Sequence, residues 1–293
     1  MKHWTEVSGC RIEFFHSSGD LPHEIVIRRI IMVMPFTPAH IAAVVPLRKR
    51  EAVVWSALIV GSIAPDFEYF LDLAPGHRMG HSFPGVFTFT LPAALFVLWL
   101  FHDVMKRPMV DLMPARLEMR LKPLLRTFRF GGTKRFLQIL LSLMIGIATH
   151  LLWDSFTHGN TWVTNHIAWL RIGVRAPWLG ATTIYNVLQY ASSVFGLVVV
   201  GYVCAAWYRR AQPVEGVASR LSPSRKLLVW VSMTVVATAG AIARAFTLVG
   251  DPSTPSLQQK FIVMLVVIFI ALMFWQILLY GVFTSRKSEY SGE

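Results

Sequence analysis

Five apolar runs of about twenty residues or more govern what this chain can fold into: 83–104, 136–156, 184–208, 227–249 and 261–283. A helix of roughly 20 residues matches the hydrocarbon thickness of a bilayer. Soluble core helices are neither this long nor this evenly apolar. Composition agrees. Charged residues make up 15% of the 293 and hydrophobic residues 54%, whereas a soluble domain carries roughly a quarter charged residues to cover its surface. Soluble enzymes, soluble DNA-binding proteins and disordered chains all fit this balance badly. Two cysteines, Cys10 and Cys204, make neither a disulfide framework nor a cysteine metal site.

Ahead of the five runs lie two shorter arms. Residues 34–47 are apolar but too few to span, and 52–64 extend to about 71 if the helix continues past Pro65. The polar turn Arg48-Lys49-Arg50-Glu51 separates them. The expectation is an all-α, polytopic integral membrane protein: five transmembrane helices plus an N-terminal helical hairpin whose first arm is a half-helix or re-entrant segment. Residues 34–287 form one membrane-embedded domain, and 288–293 a short tail. Residues 1–33 lack a period, a cap or a signal-peptide apolar core. They read as an extension or a disordered tail, with Met34 as the expected start. Thr37 is placed to cap the first arm, with Pro38 behind it.

The net charge of +12 is large for so apolar a chain, and its distribution says why. Segment 105–135 holds nine Lys/Arg, 209–226 five, 48–50 three and 286–287 two. The alternate loops hold only Arg78, Arg171, Arg175 and Lys260. Nineteen against four is the bias that marks cytoplasmic loops. The basic loops and the C-terminus are therefore expected inside, and loops 65–82 and 157–183 outside. The charge is thus a map of sides, with the lipid bilayer as the partner and no call for nucleic acid. The 105–135 loop could also touch anionic lipid head groups.

Ionisable residues near apolar segments are functional suspects in a membrane protein. His40 begins the first arm, and Asp66, Glu68 and Asp72 end the second. His77 and His81 follow in GHRMGHSFPG, and His150, Asp154 and His158 in ATHLLWDSFTHG. The last three are spaced by four residues, so they share one helical face if the helix persists to Gly159. The hairpin brings His40 towards Asp66. By the charge map the His/Asp face of the 136–156 run emerges on the side of loop 65–82. His40, Asp66, His81, His150 and Asp154 are therefore expected to share a site for a divalent transition metal: Zn, Mn, Fe or Ni. Glu68 and Asp72 read as solvated loop charges, and His102 and His166 as interfacial polar tips. Ser82 and Ser155 read as caps or supports. Arg244 is expected to snorkel to the interface.

The segments MPFTPAHIAAVVPL, GSIAPDFEYFL, GHSFPG and THLLWDSFTHG resemble a bacterial inner-membrane family, domain of unknown function 4184, from Met34 onward. That family is in turn similar to the YdjM-like predicted membrane-bound metal-dependent hydrolases. The resemblance aligns the early His with His40 and the PD step with Pro65-Asp66. The HR and HS pair falls on His77-Arg78 and His81-Ser82, and the later pattern on His150, Asp154 and His158-Gly159. Here the HR and HS histidines are four apart, one residue tighter than in the YdjM-like pattern. The resemblance implies a metal site and metal-dependent hydrolysis, and the position of the site at the extracytoplasmic interface of the inner membrane points to an ester or phosphoester of a lipid or envelope molecule. His158 or His77 would complete the shell or move protons. A metal-stabilised, non-catalytic membrane protein or a metal or solute transporter is the alternative. The spans hold few polar groups at mid-depth, Gln189 and Gln276 among them, which argues against a conduit.

Overall fold

The computed structural model describes residues 36–74, 79–176, 180–214 and 219–290, with side chains at 176, 180, 255, 256, 259 and 285–290 left aside. The expected extension 1–33, the residue His77 and the last three residues lie outside the described residues.

Helix α1 is the short apolar segment Thr37–Leu47. Helix α2, residues 55–72, packs antiparallel to it. Helix α3 runs Phe83–Asp111, and α4 is Ala115–Leu121. Then come α5 (Thr133–Thr157), α6 (Trp162–His166), and an antiparallel ribbon of β1 (Gly173–Ala176) and β2 (Gly180–Thr183). Helices α7 (Ile184–Arg210), α8 (Pro223–Val249) and α9 (Pro255–Tyr290) complete the chain. Among the described residues α3, α5, α7, α8 and α9 contain segments long and apolar enough to cross a membrane. The protein is a multi-pass, all-α membrane protein with an N-terminal helical hairpin.

Pro65 does not end α2. The helix tightens to a 3-10 turn at Ala64–Phe67, with the proline in its first positions. Thr37 does not cap α1 as expected. Phe36 holds the cap position without a side-chain bond, because the Thr37 hydroxyl is used elsewhere. The β-ribbon in loop 157–183 has strands of four residues, too short for alternation to reveal them.

Helices within a bilayer gain little from hydrophobic exclusion, so close packing must hold them together. The α2–α5 pair meets through reciprocal glycines. A Cβ on Gly61 would collide with the Leu143 carbonyl oxygen, and one on Gly146 would lie 2.5 Å from the Leu58 carbonyl oxygen. Leu58, Leu98, Ile139 and Leu143 are fully buried around this contact. On α8, Ala237, Ala241 and Ala245 form a buried small-residue stripe, the last two packed with Ile268 of α9. Alternating helix directions put the ends of α2 and α5, the turn 79–82 and the start of α7 at one end of the bundle. Segments 105–135, 209–214 and 219–226 lie at the other.

Candidate metal centre

The glycine contact sets two rungs above it. Four residues beyond Gly146, His150 Nδ1 donates to the Ser62 carbonyl at 2.8 Å. One turn further along each helix, Asp66 on α2 and Asp154 on α5 face the same space. His150 Nε2 is 3.7 Å from Asp66 Oδ1 and 3.1 Å from Asp154 Oδ2. His81 arrives from the turn before α3, its Nε2 3.1 Å from Asp154 Oδ2 and 3.9 Å from Asp66 Oδ1. This turn is stabilised by Ser82, which caps α3 by accepting from the Gly85 N–H. His40 on α1 completes the group. Its Nε2 is 3.4 Å from Asp154 Oδ1, and its ring stacks on His150 with centroids 3.9 Å apart.

The five expected ligands thus meet in one cluster. Two overlapping sets have ligand atoms close enough for an ion: His40, His150 and Asp154; and Asp66, His81 and His150. Burial is deep. His150 is fully enclosed, and Asp66 and Asp154 are each 6% exposed. Burial and the neighbouring His150 lower the His40 pKa to about 4. His40 is therefore neutral near pH 7, the form in which imidazole ligates.

The donor set fits a divalent transition metal. A carbonyl oxygen only accepts, so His150 carries a proton on Nδ1 and turns its Nε2 towards the Asp66 and Asp154 carboxylates. His150 Nε2 and Asp154 Oδ1 are both buried without a hydrogen bond, and leaving such groups unsatisfied costs about 1–3 kcal/mol each. Ligand atoms around one tetrahedral zinc lie roughly 3.4 Å apart, given bonds of about 2.0–2.1 Å. The nitrogen–oxygen separations here, 3.1 to 3.9 Å, bracket that spacing.

Supporting contacts surround the group. Thr37 Oγ1 donates to Asp66 Oδ2 at 2.5 Å, and Tyr69 also hydrogen-bonds Asp66. Burial, then the Asp66 charge, raises the Tyr69 pKa and keeps its hydroxyl a donor. His158 differs from the expectation. Helix α5 ends at Thr157, and His158 is its cap in extended conformation, so it does not continue the helical face. Its Nδ1 still lies 3.5 Å from Asp154 Oδ1, while Gln189 of α7 sits 3.0 Å from its Nε2. His158 belongs to neither ligand set and flanks Asp154 instead.

Glu68 overturns its expected role. It is 5% exposed, and its carboxylate accepts the Met79 N–H at 2.7 Å, tying the 79–82 turn to α2. Asp72 and Arg244 are exposed as expected, whereas His102 stacks on Phe128 at the opposite end of the bundle. Sequence reasoning missed Tyr69, the Ser62 carbonyl and Glu68. Gln189 had a visible signal as a rare amide in an apolar run; a backbone carbonyl has none.

A cavity of about 220 Å³ opens beside the cluster, with His40, Asp154, Thr157 and Gln189 in its wall. The model for the family described as Domain of unknown function (DUF4184) matches residues 34–282, which include the whole cluster. No curated protein and no solved structure matches the chain.

Proposed function

The chain belongs to the family described as Domain of unknown function (DUF4184), and we propose that within it this protein is a membrane-embedded metal-dependent hydrolase. Its substrate would be an ester or phosphoester at the extracytoplasmic face of a bacterial inner membrane. The observation that carries the reading is the convergence of three imidazoles and two carboxylates in a buried pocket, with His150 Nε2 and Asp154 Oδ1 making no hydrogen bond. Nature rarely buries such a set without a cation.

His40, Asp66, His81, His150 and Asp154 would hold the ion. A bound divalent transition metal supplies Lewis acidity and acidifies water near neutral pH. The Ser62 carbonyl fixes the His150 tautomer, and Thr37 and Tyr69 hold the Asp66 carboxylate in place. His158 stands beside Asp154 with Gln189 behind it, where a proton can be taken up or returned at an imidazole nitrogen. The cavity on the α7 side brings a substrate bond to the open flank of Asp154. Positive charge concentrated at the opposite end supports the orientation, with the C-terminus inside.

Metal analysis of the purified full chain beside a His150→Ala/Asp154→Ala double variant tests the reading. The expected result is bound Zn, Mn, Fe or Ni in the parent and loss in the variant. Equal metal content in the two would end it. Hydrolysis of phospholipid and soluble phosphodiester panels by the metal-loaded parent then separates an enzyme from a metal-stabilised protein.

A further inference from the structure

The wall of the cavity beside the cluster has a polar part and an apolar part. Near the metal ligands its wall is polar: His40, Asp154, Thr157, Gln189 and the hydroxyls of Ser192 and Ser193. Further along α7 it is lined by Phe195 and Gly196, facing Ala39, Ala42 and Ala43 of α1. Ala39 is the chain neighbour of His40, so the apolar wall begins directly beside the expected ligands.

The cavity also has a side door. Helix α7 buries a smaller share of its span than the other four, and Gly196 is its only buried residue among those described. It touches the bundle where Gly196 meets Ala39, so closely that a Cβ would lie 2.5 Å from the Ala39 carbonyl oxygen. Above that point the α5–α7 gap is bridged by the Trp153 Nε1 donation to Ser192 Oγ at 3.0 Å and, at the end of α5, by the Gln189–His158 contact at 3.0 Å. Trp153 and Phe195, flanking the cavity, are 43% and 67% exposed, on faces that meet lipid. Asp154, nine-tenths buried, lines the inner end with an oxygen that has no hydrogen bond.

We propose that this cavity is the chain-binding subsite for a phospholipid-like amphiphile, which reaches the cluster sideways from the bilayer between α5 and α7. The hydrocarbon chain lies against Ala39, Ala42, Ala43 and Phe195, and the phosphoester head is presented to Asp154 and His40. The inference rests on the hydrolase reading for its chemistry, but the lipid subsite is measured separately from metal.

The test uses the full chain in nanodiscs of phosphatidylethanolamine and phosphatidylglycerol, doped with a phospholipid carrying a diazirine in its acyl chain. Adducts are mapped by mass spectrometry, and metal is counted on the same preparations. Adducts are expected to concentrate on residues 39–43 and 189–196. Ser193→Phe, which fills the cavity, is expected to cut them by about fivefold or more at unchanged metal content. Adducts on those segments that persist in Ser193→Phe, or are no denser than on the outward α8 face at Leu227 and Leu228, would overturn the proposal. If Ser193→Phe loses metal, the fold has moved and the smaller filler Ala43→Leu carries the test with the same two outcomes. A parent that binds no metal yet shows the labelling pattern sinks the hydrolase reading and leaves the lipid subsite standing.

Discussion

At one end of the bundle Asp154 meets four histidines; at the other Glu118 meets two lysines and a serine. Both carboxylates are buried, at 6% and 1% exposure. Glu118, on α4, accepts from Lys226 of α8 and from Ser219 at 2.7 Å, and pairs with Lys122 at 3.2 Å. Lys226 also donates to the Met113 carbonyl, and Trp230 to that of Leu112. Here charge balances charge, with lysines of fixed positive charge on both carboxylate oxygens, although Glu118 Oε1 is, like Asp154 Oδ1, buried without a hydrogen bond. The pair clamps the basic segment onto α8. Around Asp154 the partners are imidazole rings, with the Asp66 carboxylate close to two of them, and His150 turns its Nδ1 proton away to the Ser62 carbonyl. A balanced buried charge is a structural device, whereas the histidine–carboxylate set at the other end is the one proposed to take a cation.

Five experiments can break or sharpen that contrast. The largest effect is expected from Asp154→Ala, which removes the group that all four histidines approach. It should abolish metal retention and any hydrolysis, and a chelator should then no longer shift its thermal unfolding although it destabilises the parent. Glu118→Ala should do the reverse. It leaves Lys226 buried without its counter-charge, at about 3–5 kcal/mol, yet keeps full metal content. Thermal unfolding in detergent beside metal analysis reads both quantities, and metal loss in Glu118→Ala would erase the distinction between the two ends.

Gly146→Ala comes next. The methyl meets the α2 backbone at Leu58 and Ser62, so the helices must separate, at about 1–3 kcal/mol. Because His150 sits one turn above, metal affinity should fall with stability; a variant that loses stability alone would show that the glycine contact does not position the cluster. Thr37→Val removes the hydroxyl that steadies Asp66. Loss of such a support costs about 10–100-fold in metal affinity, measured by competition with a fluorescent chelator, with little change in folding.

The smallest effect is a pH slope. Burial pushes the Glu118 carboxyl up, but hydrogen bonds from Lys226 and Ser219 and the paired Lys122 outweigh it and hold the pKa below the ordinary 4.5. Stability from this group is present above about 4.5 and is lost as pH falls through the lower folded value. Melting temperature against pH should therefore drop on the acid side in the parent and run flatter in Glu118→Gln. Equal slopes would remove Glu118 as the acid-sensitive clamp.

Much of the site was legible before any coordinates. His40, Asp66, His81, His150 and Asp154 stood out because ionisable groups are rare beside apolar runs, and four-residue spacing put His150 and Asp154 on one face. The role of His158 was not legible, because the spacing argument assumes a helix that in fact stops at Thr157. Glu68 was misjudged for a related reason. Its position after a proline looked like a loop, and only the continued α2 buries it under the 79–82 turn.

What the sequence determined by itself is whatever follows from run length, charge count and local period: the all-α membrane class, the five spanning helices, the short first arm and the end of the bundle that carries the histidines. These depend on each segment's own fit to a bilayer, which neighbours hardly alter. The tertiary structure decided the rest. Gly61 meeting Gly146 lets two backbones touch, and that contact sets Ser62 under His150 and Asp66 across from Asp154. The loose fit of α7, held to the bundle at Gly196, leaves the cavity beside them. Such distances between helices far apart in the chain come from how side chains and backbones fill shared space, and no local pattern of residues records that.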